Sequence, residues 1–382
     1  MQTAMSRSLP LELLDCIVDD LRDDPTALKA CCVVAKSWVP RTQSHLFARV
    51  RFDTRKHSVE EWMKIFPDPS NSPARHTRSL SIRGLPVVTS PDVDIGGWIR
   101  SFRNLVRLHL RNFTWEDHEA PLVPFHGLSP TVRSLRLTST SFEVFDLICS
   151  FPLLEDLTLT SILPESGDAE RTGRLVSSPK LTGSLGLNVR GGIGIPFIVR
   201  RLLDLPNGLH FVKISVSCRD EEDTRLATEL VSRCSGTLES LTIRHLRAFP
   251  SPSMIGLDLT TVVNVGLTGL HFLDLSKATK LKDLTFRTRR STIKSITMTL
   301  QTIGSKNLQQ ITIHPCVIGA KLCQGWRDLD IMLVQLWTLH SIRPRLMYGP
   351  DGTGKDARDC ASSLLPELTR REILHLVKRV PL

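Results

Sequence analysis

"VRSLRLT", residues 132–138, decides the fold. Leu135 and Leu137 fall on one side of the stretch, and Ser134, Arg136 and Thr138 on the other. That period of two is the mark of a strand with one buried face. The pattern recurs as "RSLSIRG" (78–84), "VRLHLRN" (106–112), "LEDLTLT" (154–160), "TGSLGLN" (182–188), "FVKISVS" (211–217), "LESLTIR" (238–244), "LKDLTFR" (281–287) and "LQQITIH" (308–314). Most copies lie 22 to 29 residues apart. One gap, Leu241 to Leu284, is 43 residues, and "HFLDLSKA" (271–278) is the candidate for an extra strand inside it. Helical segments fill the intervals, among them "SFEVFDLICSF" (141–151) and "EEDTRLATELVSRC" (221–234). In the second of these, Leu226, Leu230 and Val231 share one face.

Strand and helix in alternation predict the α/β class, with parallel strands joined by right-handed crossovers. The period is that of leucine-rich repeats, so an irregular leucine-rich-repeat-like βα solenoid is expected over residues 51–346. One such repeat cannot bury its own apolar face, and its neighbours supply the core. Leu80, Leu108, Leu135, Leu157, Leu241 and Leu284 are expected to point inward, each contributing roughly 1.5–3 kcal/mol. The asparagine that follows the strand in regular leucine-rich repeats is matched only by Asn112. Toward the C-terminus, "WRDLDIMLVQLWTLHSI" (326–342) reads as a helix through Trp326, Leu329, Leu333, Leu336 and Trp337, and "RPRLMYG" (343–349) as one last strand. Residues 347–382 are expected to hold a loop and a capping amphipathic helix, "LPELTRREILHLVKRV" (365–380).

Composition fits this picture. With 382 residues, 41% hydrophobic and 23% charged, the chain is a folded protein with more than one core or an extended array. Aromatics are only 5%, so aliphatic side chains are expected to fill most of the interior. There is no run of about 18 apolar residues, and "MQTAMSRSLP" lacks the apolar core of a signal peptide. Neither a membrane span nor secretion is expected. Nine cysteines, an odd number without a Cys-x-x-Cys pair, argue against a zinc or disulfide framework. They fit free thiols in the cytosol or nucleus. The formal charge is +10, yet the front is acidic, with Glu12, Asp15, Asp19, Asp20, Asp23 and Asp24. Basic clusters come later, as in "FRTRRSTIK" (286–294). A solvated surface explains most of this charge, and the mixing of signs disfavours nucleic acid as the partner.

Chemistry is sparse. "GPDGTGKD" (349–356) has the spacing of a phosphate-binding loop, but Asp356 stands where a magnesium-binding hydroxyl is needed. A turn serves those residues equally well. The histidines are dispersed, no metal-ligand spacing appears, and no nucleophile sits in a recognisable frame. No metal, cofactor or catalytic residue is expected, and the chain reads as a binding protein rather than an enzyme.

The front segment is separate from the repeats. In "LPLELLDCIVDDL" (9–21), Pro10 suits the first position of a helix, and Glu12 lies in its first turn. Leu14, Ile17, Val18 and Leu21 make one apolar stripe. Asp24 followed by Pro25 starts a second helix through Leu28, Cys31, Cys32, Ala35 and Trp38. A third is expected after Pro40, through Leu46 and Phe47. Three short helices are too small to fold alone. They either cap the repeat array or present apolar surface to another protein.

"LPLELLDCIV" with "LKACCVVAKSW" resembles the F-box, which docks a protein onto the Skp-type adaptor of cullin-based ubiquitin ligases. The matching positions are Leu9, Pro10, Glu12, Leu13, Leu14, Ile17 and Leu21, then Leu28, Val34 and Trp38, with Ala35 where the family often has cysteine. "FPDPSNSPARHTRSL" (66–80) and "LDLSKATKLKDLTFR" (273–287) resemble a large fungal group of F-box proteins with repeat-like bodies. The resemblance implies an F-box over residues 1–50 that binds the Skp-type adaptor and, through it, a cullin. It also implies a non-catalytic role, with the repeats selecting a protein for ubiquitination. A repeat scaffold outside any ligase is the alternative.

The outward strand positions are then the expected substrate surface. They include Arg107, His109, Arg111, Arg136, Thr158, Arg244, Arg287 and His314. The arginines favour an acidic or phosphorylated segment of the partner.

Overall fold

Alternation of branched apolar and polar residues builds strands, and longer apolar-periodic stretches build helices between them. The computed structural model describes residues 10–378 apart from 57, 69, 85–94, 113–124, 126–127, 129, 141–143, 163–178, 189–193, 207, 219–220, 245–271, 288–292, 315–324, 341–342, 349–358 and 360. The chain divides into two units, Met1–Leu154 with Glu165–Pro179, and Glu155–Pro164 with Lys180–Leu382.

The first unit opens with three helices, α1 (Leu11–Asp20), α2 (Pro25–Val34) and α3 (Val39–Leu46). Strands β1 (Arg49–Asp53), β2 (Ser79–Arg83), β3 (Arg107–Arg111) and β4 (Ser134–Thr138) follow. Helices α4 (Ser58–Ile65), α5 (Ile95–Arg100) and α6 (Val144–Cys149) lie outside the strands. The strands pair in chain order and all run parallel. Two inward rows result, Val50–Leu80–Leu108–Leu135 and Phe52–Ile82–Leu110–Leu137, and every member is buried. β1 extends the repeat pattern backward to residue 49, beyond the strands expected from the sequence.

Aromatic residues are few but gathered. Phe52 of β1 meets Trp62 of α4 at 5.4 Å between ring centroids and Trp98 of α5 at 4.9 Å, both edge-on. Trp62 also meets Phe47 at 5.8 Å and Phe66 at 5.0 Å. This edge-to-face cluster ties the end of α3 to the first strand, an exception to the aliphatic core expected from composition.

The second unit holds β5 (Asp156–Thr160), β6 (Ser184–Asn188), β7 (Lys213–Ser217), β8 (Ser240–Arg244), β9 (Asp283–Arg287), β10 (Gln310–His314), β11 (Arg343–Tyr348) and β12 (His375–Lys378). Again each strand pairs in parallel with the next in sequence. Its helices are α7 (Gly194–Leu203), α8 (Glu221–Arg233), α9 (Ile293–Gln301), α10 (Gly325–His340) and α11 (Pro366–Arg370). Leu157, Leu241 and Leu284 are buried as expected, as are Leu226, Leu230 and Val231 on α8. Within each unit this is the arrangement of a βα solenoid.

Three expectations are corrected. Residues 272–278 form no strand. Leu273 and Leu275 are buried there, but their N–H groups donate to the hydroxyls of Thr299 and Thr302 at 3.1 and 2.9 Å. Side-chain acceptors have replaced a ladder. The expected long terminal helix is the short α11 and then β12, which pairs with the edge of β11 through Arg345–His375 and Leu346–Leu376. Glu372, with φ of 56°, turns the chain out of the helix. Asp330 of α10, itself buried, accepts the N–H groups of Glu367 and Leu368 at 2.7 and 3.1 Å and so holds the start of α11. Trp337, expected on the packing stripe of α10, is exposed.

A backbone device takes the place of the missing asparagines. The residue directly after β2, β3, β4 and β5 is Gly84, Asn112, Ser139 and Ser161, all with φ between 52° and 79°. In this left-handed turn the N–H of Gly84 donates to Arg111 O at 2.7 Å, that of Asn112 to Thr138 O at 2.8 Å, and that of Ser161 to Asn188 O at 3.1 Å. β2, β3 and β5 therefore end by bonding the end of the strand that follows, whatever side chain the turn residue carries.

Candidate functional site

Two surfaces bear on function, and the N-terminal helices form the first. α1 starts after Pro10, which stands at the cap rather than inside the helix, and its carbonyl accepts the N–H groups of Leu13 and Leu14. Val18 is fully buried, and Leu14 and Leu21 are half-buried. Ile17, expected on that stripe, points outward with Leu13, one turn away. The inward stripe is thus Leu14, Val18 and Leu21, while Leu13 and Ile17 stay 51% and 43% exposed. Glu12 is exposed as well. Leu9 lies outside the described residues.

α2 starts as its sequence requires. The Asp24 carboxylate accepts the N–H groups of Thr26 and Ala27 at 2.9 and 3.0 Å, with Pro25 leading the helix. Leu28 and Cys31 pack inward. Cys32 is half-buried, and its thiol is pushed up by burial and by the neighbouring Cys31, which makes it a poor nucleophile. At the end of α2, Val33 and Val34 are 85% and 67% exposed. Trp38 is half-buried, and its carbonyl accepts the Thr42 hydroxyl at 2.7 Å.

An ion pair fixes α1 to α3. Arg41 grips both oxygens of Asp19, at 2.6 and 2.5 Å, and His45 Nε2 lies 2.7 Å from the same carboxylate. The hydrogen bond from Arg41, and then that from His45, holds Asp19 well below the usual carboxylate range. The sequence marks Asp19 only as one acidic residue of the front segment, because its partners are 22 and 26 residues away.

The outward face of the strands is the second surface. In the first unit the register makes three rows: Arg49–Ser79–Arg107–Ser134, Arg51–Ser81–His109–Arg136, and Asp53–Arg83–Arg111–Thr138. The expected residues Arg107, His109, Arg111 and Arg136 are therefore together. Arg49, Arg51 and Arg83, not anticipated, share their face. Asp53 is the single carboxylate in these rows and lies 3.8 Å from Arg83. His109 is 3.2 Å from the Thr138 hydroxyl. Burial, and then Arg136, Arg111 and Arg51, push its imidazole down to about 4, so it is neutral at pH 7.

The second unit carries the other expected residues, on two different rows. Thr158 lies in a hydroxyl-rich row with Gly186, Ser215, Thr242, Thr285 and Thr312. Arg244, Arg287 and His314 are adjacent in the next row. Asp156 and Asp283 also face outward here, so the charge is mixed rather than basic.

Among the described residues no group of three or more His, Cys, Asp or Glu side chains is arranged to hold a metal ion. No helix among them is long and apolar enough to cross a membrane. Six cysteines are free thiols there, and burial pushes Cys234 up to about 11. The phosphate-loop-like residues 349–356 lie outside the described residues. Comparison with known proteins adds no relative: neither the family models nor the curated sequences match this chain.

Proposed function

We propose that this chain is the substrate-recognition adaptor of a Skp–cullin–F-box type ubiquitin ligase, with α1–α3 as the docking element and the outward strand face as the surface that holds a target protein. Such a protein does no chemistry itself. It raises the effective concentration of a target lysine beside the conjugating enzyme. One observation supports the reading above the rest. Five of the ten large apolar side chains exposed among the described residues, Leu11, Leu13, Ile17, Val33 and Val34, fall in α1 and α2. Helices that served only to cap the repeats would turn such residues inward.

The test is co-purification with a Skp-type adaptor, wild type against Leu13→Asp/Ile17→Asp. Both side chains are exposed, so the variant keeps its melting temperature while adaptor capture is lost. A wild-type chain that captures no adaptor overturns the proposal.

The arginine rows of the first unit favour a second reading, a scaffold that binds an anionic partner outside any ligase. Charge reversal at Arg107, Arg111 and Arg136 then abolishes partner capture while adaptor binding, if present, is untouched. Steeply salt-dependent binding of RNA or DNA would move the reading to nucleic acid.

A further inference from the structure

The outward rows of the first unit carry charge that the unit itself does not answer. Arg49 and Arg51 of β1, Arg107 and Arg111 of β3 and Arg136 of β4 are all exposed on this face. The one carboxylate of the rows, Asp53, stands beside Arg83. Among the described residues the other five arginines make no ion pair. Between them the face is low and polar, with Ser79, Ser81 and Ser134 around the half-buried His109. Burial of that imidazole, and then the fields of Arg136, Arg111 and Arg51, hold it neutral, so three of the guanidinium fields overlap above β3.

The same chain carries the complementary charge on its first helix. Glu12, Cys16 and Asp20 step along one exposed side of α1. Asp23 and Asp24 continue the acidic run into the next turn, where Arg22 stands 3.6 Å from Asp23 and Asp24 caps α2. Glu12 and Asp20 are therefore the carboxylates open to a partner. They lie about 12 Å apart along the helix at about 1.5 Å per residue. Arg107 and Arg111 lie about 13 Å apart along β3. A helix laid along β3 sets Glu12 against one arginine and Asp20 against the other.

α1 cannot make this contact within its own chain. Asp19 is held by Arg41 and His45 of α3, and α3 leads into β1. β1 and β2 then stand between this helix pair and β3. The strand face of one copy is open to the front helix of another. With a net charge of +10, two copies repel at a distance, so they meet only where opposite signs face each other.

We propose that the arginine rows of the first unit receive α1 of a second copy of this chain, head to tail. The contact is heterologous: each pair keeps one free front and one free face, so further copies can add. Exposed ion pairs are individually weak and are screened by salt, so the association is reversible and concentration-dependent. It covers α1 and the strand face together. It therefore competes with an adaptor and with a target under the reading above, without depending on that reading.

Sedimentation velocity of the full chain tests it. Wild type grows from monomer to dimer and beyond between about 5 and about 200 µM in about 20 mM salt, and returns to monomer at about 500 mM salt. Glu12→Lys/Asp20→Lys and Arg107→Glu/Arg111→Glu each stay monomeric with unchanged circular dichroism. Mixing the two restores association, because every front then meets a face of opposite sign. Should either reversal disturb the circular dichroism, Glu12→Gln/Asp20→Gln and Arg107→Gln/Arg111→Gln take its place and weaken association about tenfold. The proposal is overturned if wild type stays monomeric in low salt at every concentration, and binding of RNA or an acidic protein by that monomer assigns the face to that partner instead. It is also overturned if a correctly folded charge variant associates as wild type does, or if the mixed reversals stay monomeric.

Discussion

Replacing Leu108 with alanine tests the register on which the outward strand surface depends. Leu108 is 1% exposed and lies between Leu80 and Leu135 in the inward row of the first unit. The substitution removes three carbons, about 2.4 kcal/mol at about 0.8 kcal/mol for each. The neighbouring leucines are held by backbone ladders on either side and cannot close the gap, so a cavity cost adds to this. A total of about 3–4 kcal/mol is expected, within the range for buried leucine truncations. The companion Arg107→Ala, one residue earlier but on the outward face, should stay within about 0.5 kcal/mol of wild type. Urea unfolding followed by tryptophan fluorescence is the assay, since Trp62 and Trp98 report on the first unit. A cost below about 1 kcal/mol for Leu108→Ala, or an equal cost for Arg107→Ala, refutes the assignment of faces.

Two further outcomes follow from the same structure. Asp24→Ala removes the acceptor for two N–H groups at the start of α2 and should lower stability by about 1 kcal/mol, read from denaturant midpoints, while Asp24→Asn recovers most of it. His109 gives a pH signature: its folded-state value, about 4, is below the ordinary 6.5, so between these the unfolded chain binds a proton that the folded chain does not. Stability should fall as pH drops from 6.5 toward 4, and melting curves of His109→Gln should show a shallower fall; an unchanged slope removes the effect.

The strands at residues 79–83, 107–111 and 134–138 were legible because each shows two leucine or isoleucine positions in strict alternation between polar neighbours. "RVRFD" at β1 carries the same signal but follows α3 after only Phe47 and Ala48, with no Gly, Pro, Asn or Asp to mark the break. Asp24 with Pro25 was readable as a helix start because capping is local. The Asp19–Arg41–His45 link was not readable, because Asp19 lies 22 and 26 residues from its partners and meets them only when α1 packs against α3. The C-terminal strand was hidden for another reason. "REILHLVKR" fits a helical stripe as well as a strand, and the open edge of β11 decides between them.

Sequential pairing has a consequence for synthesis. Within each unit every strand bonds only its immediate neighbours in the chain, so each new strand after the first finds its partner already made. At about 5–20 residues per second, a ribosome takes roughly 1–5 s to deliver a repeat of this length. Local pairing needs far less time than that. A growing chain can therefore add each new strand to an edge already built, and the ring cluster around Phe52 closes once Trp98 and Phe102 have followed β2. The order of the code is the order of assembly.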